Sequence, residues 1–120
     1  YSIVATWTAW KCQEMVRSQR EEGVWITSVR LGLSGQEEFQ FVRDRDWSQV
    51  IHPAAERVTR ADIPIRGPDN LGHGRNWLLQ GRTNEVVTIK LEVLEGKITV
   101  QTCYETTEQS DQTWQNSMAD

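Results

Sequence analysis

Apolar and polar residues alternate with a period of two along much of the chain, the spacing that sends successive side chains to opposite faces of a β-strand. The clearest case sets Val87, Ile89, Leu91 and Val93 against Thr88, Lys90 and Glu92. Leu94-Glu95-Gly96 then reads as a hairpin turn, with Gly96 supplying a positive φ, and Ile98, Val100 and Thr102 alternate with Thr99, Gln101 and Cys103 on the return. Upstream, Val24 to Leu31 is rich in β-branched and aromatic residues, with Trp25, Thr27, Val29 and Leu31 on one face. Gln36 to Arg43 puts Phe39 and Phe41 on one face and Glu38 and Gln40 on the other. Strands are therefore predicted near 1–6, 24–31, 36–43, 76–80, 85–93 and 97–104. The expected core holds Trp25, Val29, Phe39, Phe41, Ile89, Leu91 and Val100.

Helix signals are weak. Gln13 to Glu22 contains helix formers, but only Met15 and Val16 are apolar, too few for a buried stripe, so the segment reads as a loop. Ala54 to Arg60 reads as a short turn after Pro53. Ile63 to Gly81 is punctuated by Pro64, Gly67-Pro68, Gly72, Gly74 and Gly81, which mark turns around one short strand. Short strands with frequent turns predict an all-β fold, an antiparallel β-sandwich of the immunoglobulin-like kind, over residues 1–104. Residues 105–120 form a polar acidic C-terminal tail with Glu105, Glu108, Asp111 and Asp120 and no basic residue. Its available anchors, for this domain or for a partner, are Trp114 and Met118.

Composition narrows the function classes. The 120 residues suit one domain with a single core. No run approaches the roughly 18 apolar residues of a membrane span. Thirteen basic residues against 17 acidic give a net charge of −4, which argues against nucleic acid as a partner. The chain opens at Tyr1 without Met or a signal-like apolar stretch, and so reads as a processed chain or a piece of a longer one. Cys12 and Cys103 are compatible with one disulfide or with two free thiols, and the absence of CxxC excludes zinc ribbons.

Catalytic motifs are incomplete. Gly32-Leu33-Ser34-Gly35 lacks the second glycine of a nucleophile elbow, because Gln36 stands there. Gly72-His73-Gly74 lacks the Lys-Ser/Thr end of a phosphate-binding loop and reads as a flexible turn. His52 and His73 are isolated, and Asp44-Arg45-Asp46 lacks the rest of a calcium loop, so neither metal nor cofactor is expected. No enzyme is read from the sequence.

The six tryptophans carry more information. Trp25 and Trp7 read as core. Trp10, in Thr8-Ala9-Trp10-Lys11, and Trp47, after Arg43-Asp44-Arg45-Asp46, have no apolar company in sequence. They read either as rim residues or as exposed aromatic platforms, and sugar rings present flat C–H faces that stack on indole.

Thr6-Trp7-Thr8-Ala9-Trp10 after an opening strand resembles the G-[ST]-[FW]-x-x-W start of starch- and glycogen-binding domains. Ser34 to Val42 resembles their G-x-x-x-[YF]-K-F-[VI] strand. Arg43 to Trp47 is similar to the following D-G-x-W turn, and His52-Pro53 falls where a D-P dipeptide often closes it. The resemblance covers roughly residues 1–55 and a closing strand at Val86 to Val93. It is to the domains of AMP-activated kinase β subunits and of amylases. It implies an immunoglobulin-like β-sandwich that binds α-glucan polysaccharide or oligosaccharide without catalysis, with Trp10 and Trp47 as platforms, helped by Gln40, Lys11 and Arg45. Ala5 stands for the usual Gly and Gln40 for the usual Lys; on the resemblance, Gln40→Lys would strengthen binding. The longer middle segment and the acidic tail leave a competing expectation, a protein-interaction module or peripheral subunit of a larger assembly.

Overall fold

A computed structural model describes residues 1–105 and 111–116; Met118, one of the two expected tail anchors, lies outside them. The described chain forms eleven strands, one turn of 3₁₀ helix at Thr6–Thr8 and no α-helix. No helix is long and apolar enough to cross a membrane among these residues. The strands are β1 Ser2–Ala5, β2 Gln13–Glu14, β3 Val16–Arg17, β4 Val24–Arg30, β5 Gln36–Val42, β6 Val50–Pro53, β7 Ile65–Asp69, β8 Trp77–Gln80, β9 Val86–Leu94, β10 Lys97–Tyr104 and β11 Gln112–Gln115. They build two antiparallel sheets packed face to face, the β-sandwich that the alternation predicted.

In the first sheet the order is β2-β1-β5-β6-β7, with β8 also pairing with β5. β5 is the hub. Its residues 39–42 pair with β1 on one side; on the other, 41–42 pair with β6 and 36–39 with β8. The second sheet runs β11-β10-β9-β4-β3. The β9–β10 hairpin turns on Glu95 and Gly96, at φ of 52° and 79°. Positive φ at both central residues is the turn whose twist matches that of the flanking strands.

Between the sheets lies one core. Ile3, Phe39, Phe41, Ile51, Val87, Ile89, Leu91 and Val100 are each fully buried in it. Trp77, also fully buried, is its centre: the ring lies 5.4 Å from Phe39, 5.5 Å from Phe41 and 6.3 Å from Trp114. Six of the seven core residues expected from alternation are buried, with Val29 at 6% exposure. Trp25 is the exception. It is half-buried and flanks the core. The Trp25 ring is covered by Tyr1, edge-on at 4.8 Å, and by the guanidinium of its pairing partner on β3, Arg17, at 5.8 Å. Trp7 is likewise half-buried, 6.3 Å from Phe39.

The segment expected to be a loop at 13–22 holds β2 and β3, one on each sheet, with Met15 buried between them where the chain crosses over. Two-residue strands are too short to show a period. β7 carries Gly67-Pro68, which reads as turn punctuation, yet it is an edge strand, where a proline costs no ladder bond.

The C-terminal segment also contributes to the sandwich. β11 pairs along β10 from Thr102↔Gln112 to Thr99↔Gln115. Trp114 is only 2% exposed, and its Nε1–H donates to the Arg60 carbonyl at 2.7 Å. Asn116 closes the strand: its Oδ1 accepts from Ile98 N and its Nδ2 donates to Gly96 O. Trp114 is thus a core residue rather than a group free to dock on a partner. Cys12 and Cys103 are free thiols.

Candidate functional site

Alternation on β5 and β6 sends Phe39, Phe41 and Ile51 into the sandwich. It sends Gln40, Val42, Val50 and His52 to the outer face of the first sheet. That face is not bare. Val4, Val42 and Val50 form a second small apolar cluster, with Cys12 against it. The loop between β7 and β8, residues 70–76, folds back over it. A cleft of about 440 Å³ opens there, lined by Trp10, Gln40, Trp47, Val50, Gly72, His73, Gly74 and Asn76.

Two loops deliver the tryptophans. After the 3₁₀ turn, Ala9 and Trp10 take left-handed φ values of 54° and 60°, and Trp10 N bonds back to Ala5 O at 2.9 Å. In the β5–β6 loop, Asp44 and Arg45 take φ of 53° and 55°. Four of the seven described non-glycine residues with positive φ therefore sit in these two loops. Each such residue costs on the order of 1 kcal/mol or more, and it persists only where the surroundings hold it. Across Asp44 and Arg45 the hold is the bond from Asp46 N to Arg43 O at 3.0 Å, and the Asp46 side chain fixes the turn that follows. Its Oδ1 accepts from Ser48 N at 2.9 Å and from Ser48 Oγ at 2.6 Å, and its Oδ2 accepts from Gln49 Nε2 at 3.2 Å. The hydrogen bonds from Ser48 keep the Asp46 carboxyl below its ordinary pKa. The result is that Trp10 is 38% and Trp47 50% exposed on the same cleft.

The opposite wall is the 70–76 loop, tied down at both ends by buried polar groups. Gln40, 4% exposed, donates from Nε2 to the carbonyls of Gly72 and, at 2.8 Å, Arg75. His52, 1% exposed, bridges the Pro53 carbonyl and the Asp69 carboxylate, each at 2.8 Å. The same Asp69 oxygen accepts from Leu71 N at 2.8 Å. Desolvation pushes the Asp69 pKa up, but Leu71 N, His52 and Arg75 outweigh it and leave the carboxyl below its ordinary range. Gly72 sits so close to the sheet that a Cβ there would lie 2.9 Å from Val50 Cγ1 and 3.1 Å from His52 Cδ2. A glycine is needed for this approach, not for φ.

Of the expected sugar-contact residues, the fold brings Trp10, Trp47 and Gln40 together and leaves two aside. Arg45 is turned to β2, where it pairs with Glu14 at 3.2 Å. Lys11 is exposed and does not line the cleft. Gln40 differs from expectation in its chemistry: its N–H groups are spent on the loop, so it does not donate to a ligand. Sequence reasoning missed Val50, Gly72, His73, Gly74 and Asn76. Gly72-His73-Gly74 reads as a flexible turn, and only the latch through Gln40, 32 residues away in sequence, makes it a wall.

No protein-family model, curated protein or solved structure matches this chain.

Proposed function

We propose that this domain binds an α-glucan without catalysing a reaction on it, through the cleft walled by Trp10 and Trp47. The observation that carries this reading is the pair of partly exposed indoles on one preformed cleft. Indole faces offer dispersion and a ring quadrupole to the C–H face of a sugar. Concave sites with aromatic walls and a few fixed polar groups are the usual form of small-ligand sites. The left-handed backbone in both tryptophan loops supports it further, since strain of this kind clusters at binding sites. The resemblance to starch- and glycogen-binding domains supplies the glucan class, and Arg45 takes a left-handed φ where the resembling turn has glycine.

The competing reading, a protein-interaction module, draws on the longer middle segment and the acidic tail, with Trp114 one of the tail's two anchors for this domain or for a partner. That side chain is committed to the core of its own domain.

Titration with maltoheptaose, followed by tryptophan fluorescence, tests the proposal. Binding is expected on the order of 0.1–1 mM, about 4–5.5 kcal/mol. Trp10→Ala and Trp47→Ala should each abolish it while leaving the melting temperature nearly unchanged, because both rings are partly exposed. No spectral change up to ~10 mM, well beyond that range, would sink the glucan reading.

A further inference from the structure

Two amides on the cleft, Gln40 and Asn76, are held in one orientation each by their inner partners. Gln40 Nε2 faces two carbonyl oxygens, those of Gly72 and Arg75. A carbonyl only accepts, so the nitrogen must point inward and both of its hydrogens are used. Among the described residues only Nε2 of the Gln40 amide is hydrogen-bonded, so Oε1 is the amide atom left to the cleft that Gln40 lines. Asn76 repeats the arrangement. Its Nδ2 donates to Glu38 Oε1 at 3.1 Å, and Glu38 is held in turn by Arg57 at 2.8 Å. Ionised carboxylate oxygens only accept, which turns Asn76 Oδ1 away from Glu38. Among the described residues that oxygen too has no hydrogen-bond partner. Asn76 is only 8% exposed and lines the same cleft.

We infer that the cleft recognises its ligand by accepting hydrogen bonds, at Gln40 Oε1 and Asn76 Oδ1, and so selects a neutral saccharide with free hydroxyls. Derivatives whose hydroxyl hydrogens are replaced at the contacted positions are rejected. This rests on the saccharide reading and adds the polarity of the contact to it. A hydroxyl can donate to an amide oxygen; an ether oxygen, a phosphate dianion or a fluorine cannot, and each leaves the oxygen desolvated without a partner. Trp10 and Trp47 would hold the ring by its faces and tolerate many sugars. The two amide oxygens then discriminate by hydroxyl chemistry. Both are preorganised: neither amide can flip to offer a donor without abandoning Glu38 or the 70–76 loop.

The test compares maltoheptaose with three analogues in which every ring carries fluorine in place of the 2-, 3- or 6-hydroxyl. Fluorine is close to hydroxyl in size and cannot donate, and substitution on every ring prevents rescue by a shift in register. Fluorescence titration of the full chain gives each affinity. At least one analogue should bind about tenfold or more weakly, the effect of one lost hydrogen bond of ordinary strength. If maltoheptaose binds and all three analogues bind within twofold of it, the acceptor-only contact is wrong while the saccharide reading stands. If maltoheptaose itself fails to bind, both fall.

Discussion

Replacing Trp114 by Ala removes the largest side chain that the C-terminal segment contributes to the core. The indole is 2% exposed, lies 6.3 Å from Trp77 and donates to Arg60 O at 2.7 Å. Truncating a buried tryptophan to alanine costs about 3–5 kcal/mol. The lost hydrogen bond lies within about 1 kcal/mol of net stability, because the Arg60 carbonyl can be rehydrated at the surface once the indole is gone. Against a total of roughly 5–15 kcal/mol for a typical domain, the loss is large. At about 4 °C per kcal/mol for a chain of this size, the melting temperature should fall by roughly 12–20 °C. Urea unfolding followed by far-UV circular dichroism measures the free energy directly, with the slope checked for constancy. Trp114→Phe separates the two contributions: it keeps an aromatic ring in the core, loses the donor, and should cost roughly half as much or less. Deleting residues 106–120 should destabilise at least as much as Trp114→Ala, since it also removes the β10–β11 ladder. A Trp114→Ala midpoint indistinguishable from that of the parent would refute the reasoning and return the segment to the status of an appended tail.

Gly72→Ala should weaken glucan binding severalfold with a small change in melting temperature, because the new Cβ would press on Val50 and His52 and lift the loop; unchanged affinity would show that the loop is not a wall of the site. Gln40→Lys should weaken retention on immobilised glucan, opposite to what the family resemblance implies, since the ammonium is drawn to the Gly72 and Arg75 carbonyls and the outward acceptor is lost; stronger retention would overturn this. Stability against pH should carry an acid limb from Asp69. Its folded pKa is lowered, so its contribution is present above the unfolded value near about 3.9 and lost as pH falls through the lower folded value. Urea midpoints between pH 7 and pH 3 test this, and Asp69→Asn should flatten part of the limb; an identical limb in the variant removes Asp69 from the account.

The period-two pattern determined the fold class and most of the core, for a local reason. A strand half-buried against a second sheet must alternate, and β4, β5, β9 and β10 are long enough, at seven to nine residues, to display it. The same alternation placed Gln40 opposite Phe39 and Phe41, and the absence of apolar neighbours singled out Trp10 and Trp47. What the sequence could not carry was any element whose meaning depends on contacts made far along the chain. β2 and β3 have two residues each, and β7 breaks the pattern with Gly67-Pro68, so their strand character exists only through the partners they pair with. Trp114 sits in a polar, acidic stretch, and its burial follows from the distant meeting of β10, Trp77 and Arg60. The cleft is the strongest case. Its tryptophans were legible as exposed aromatics, but its second wall is a glycine-rich loop that becomes rigid only when Gln40, His52 and Asp69 reach it. Whether Gln40 donates to a ligand or accepts from one is likewise a tertiary decision. An amide carries both functions, and only the two carbonyls beneath it determine which one is left for the cleft.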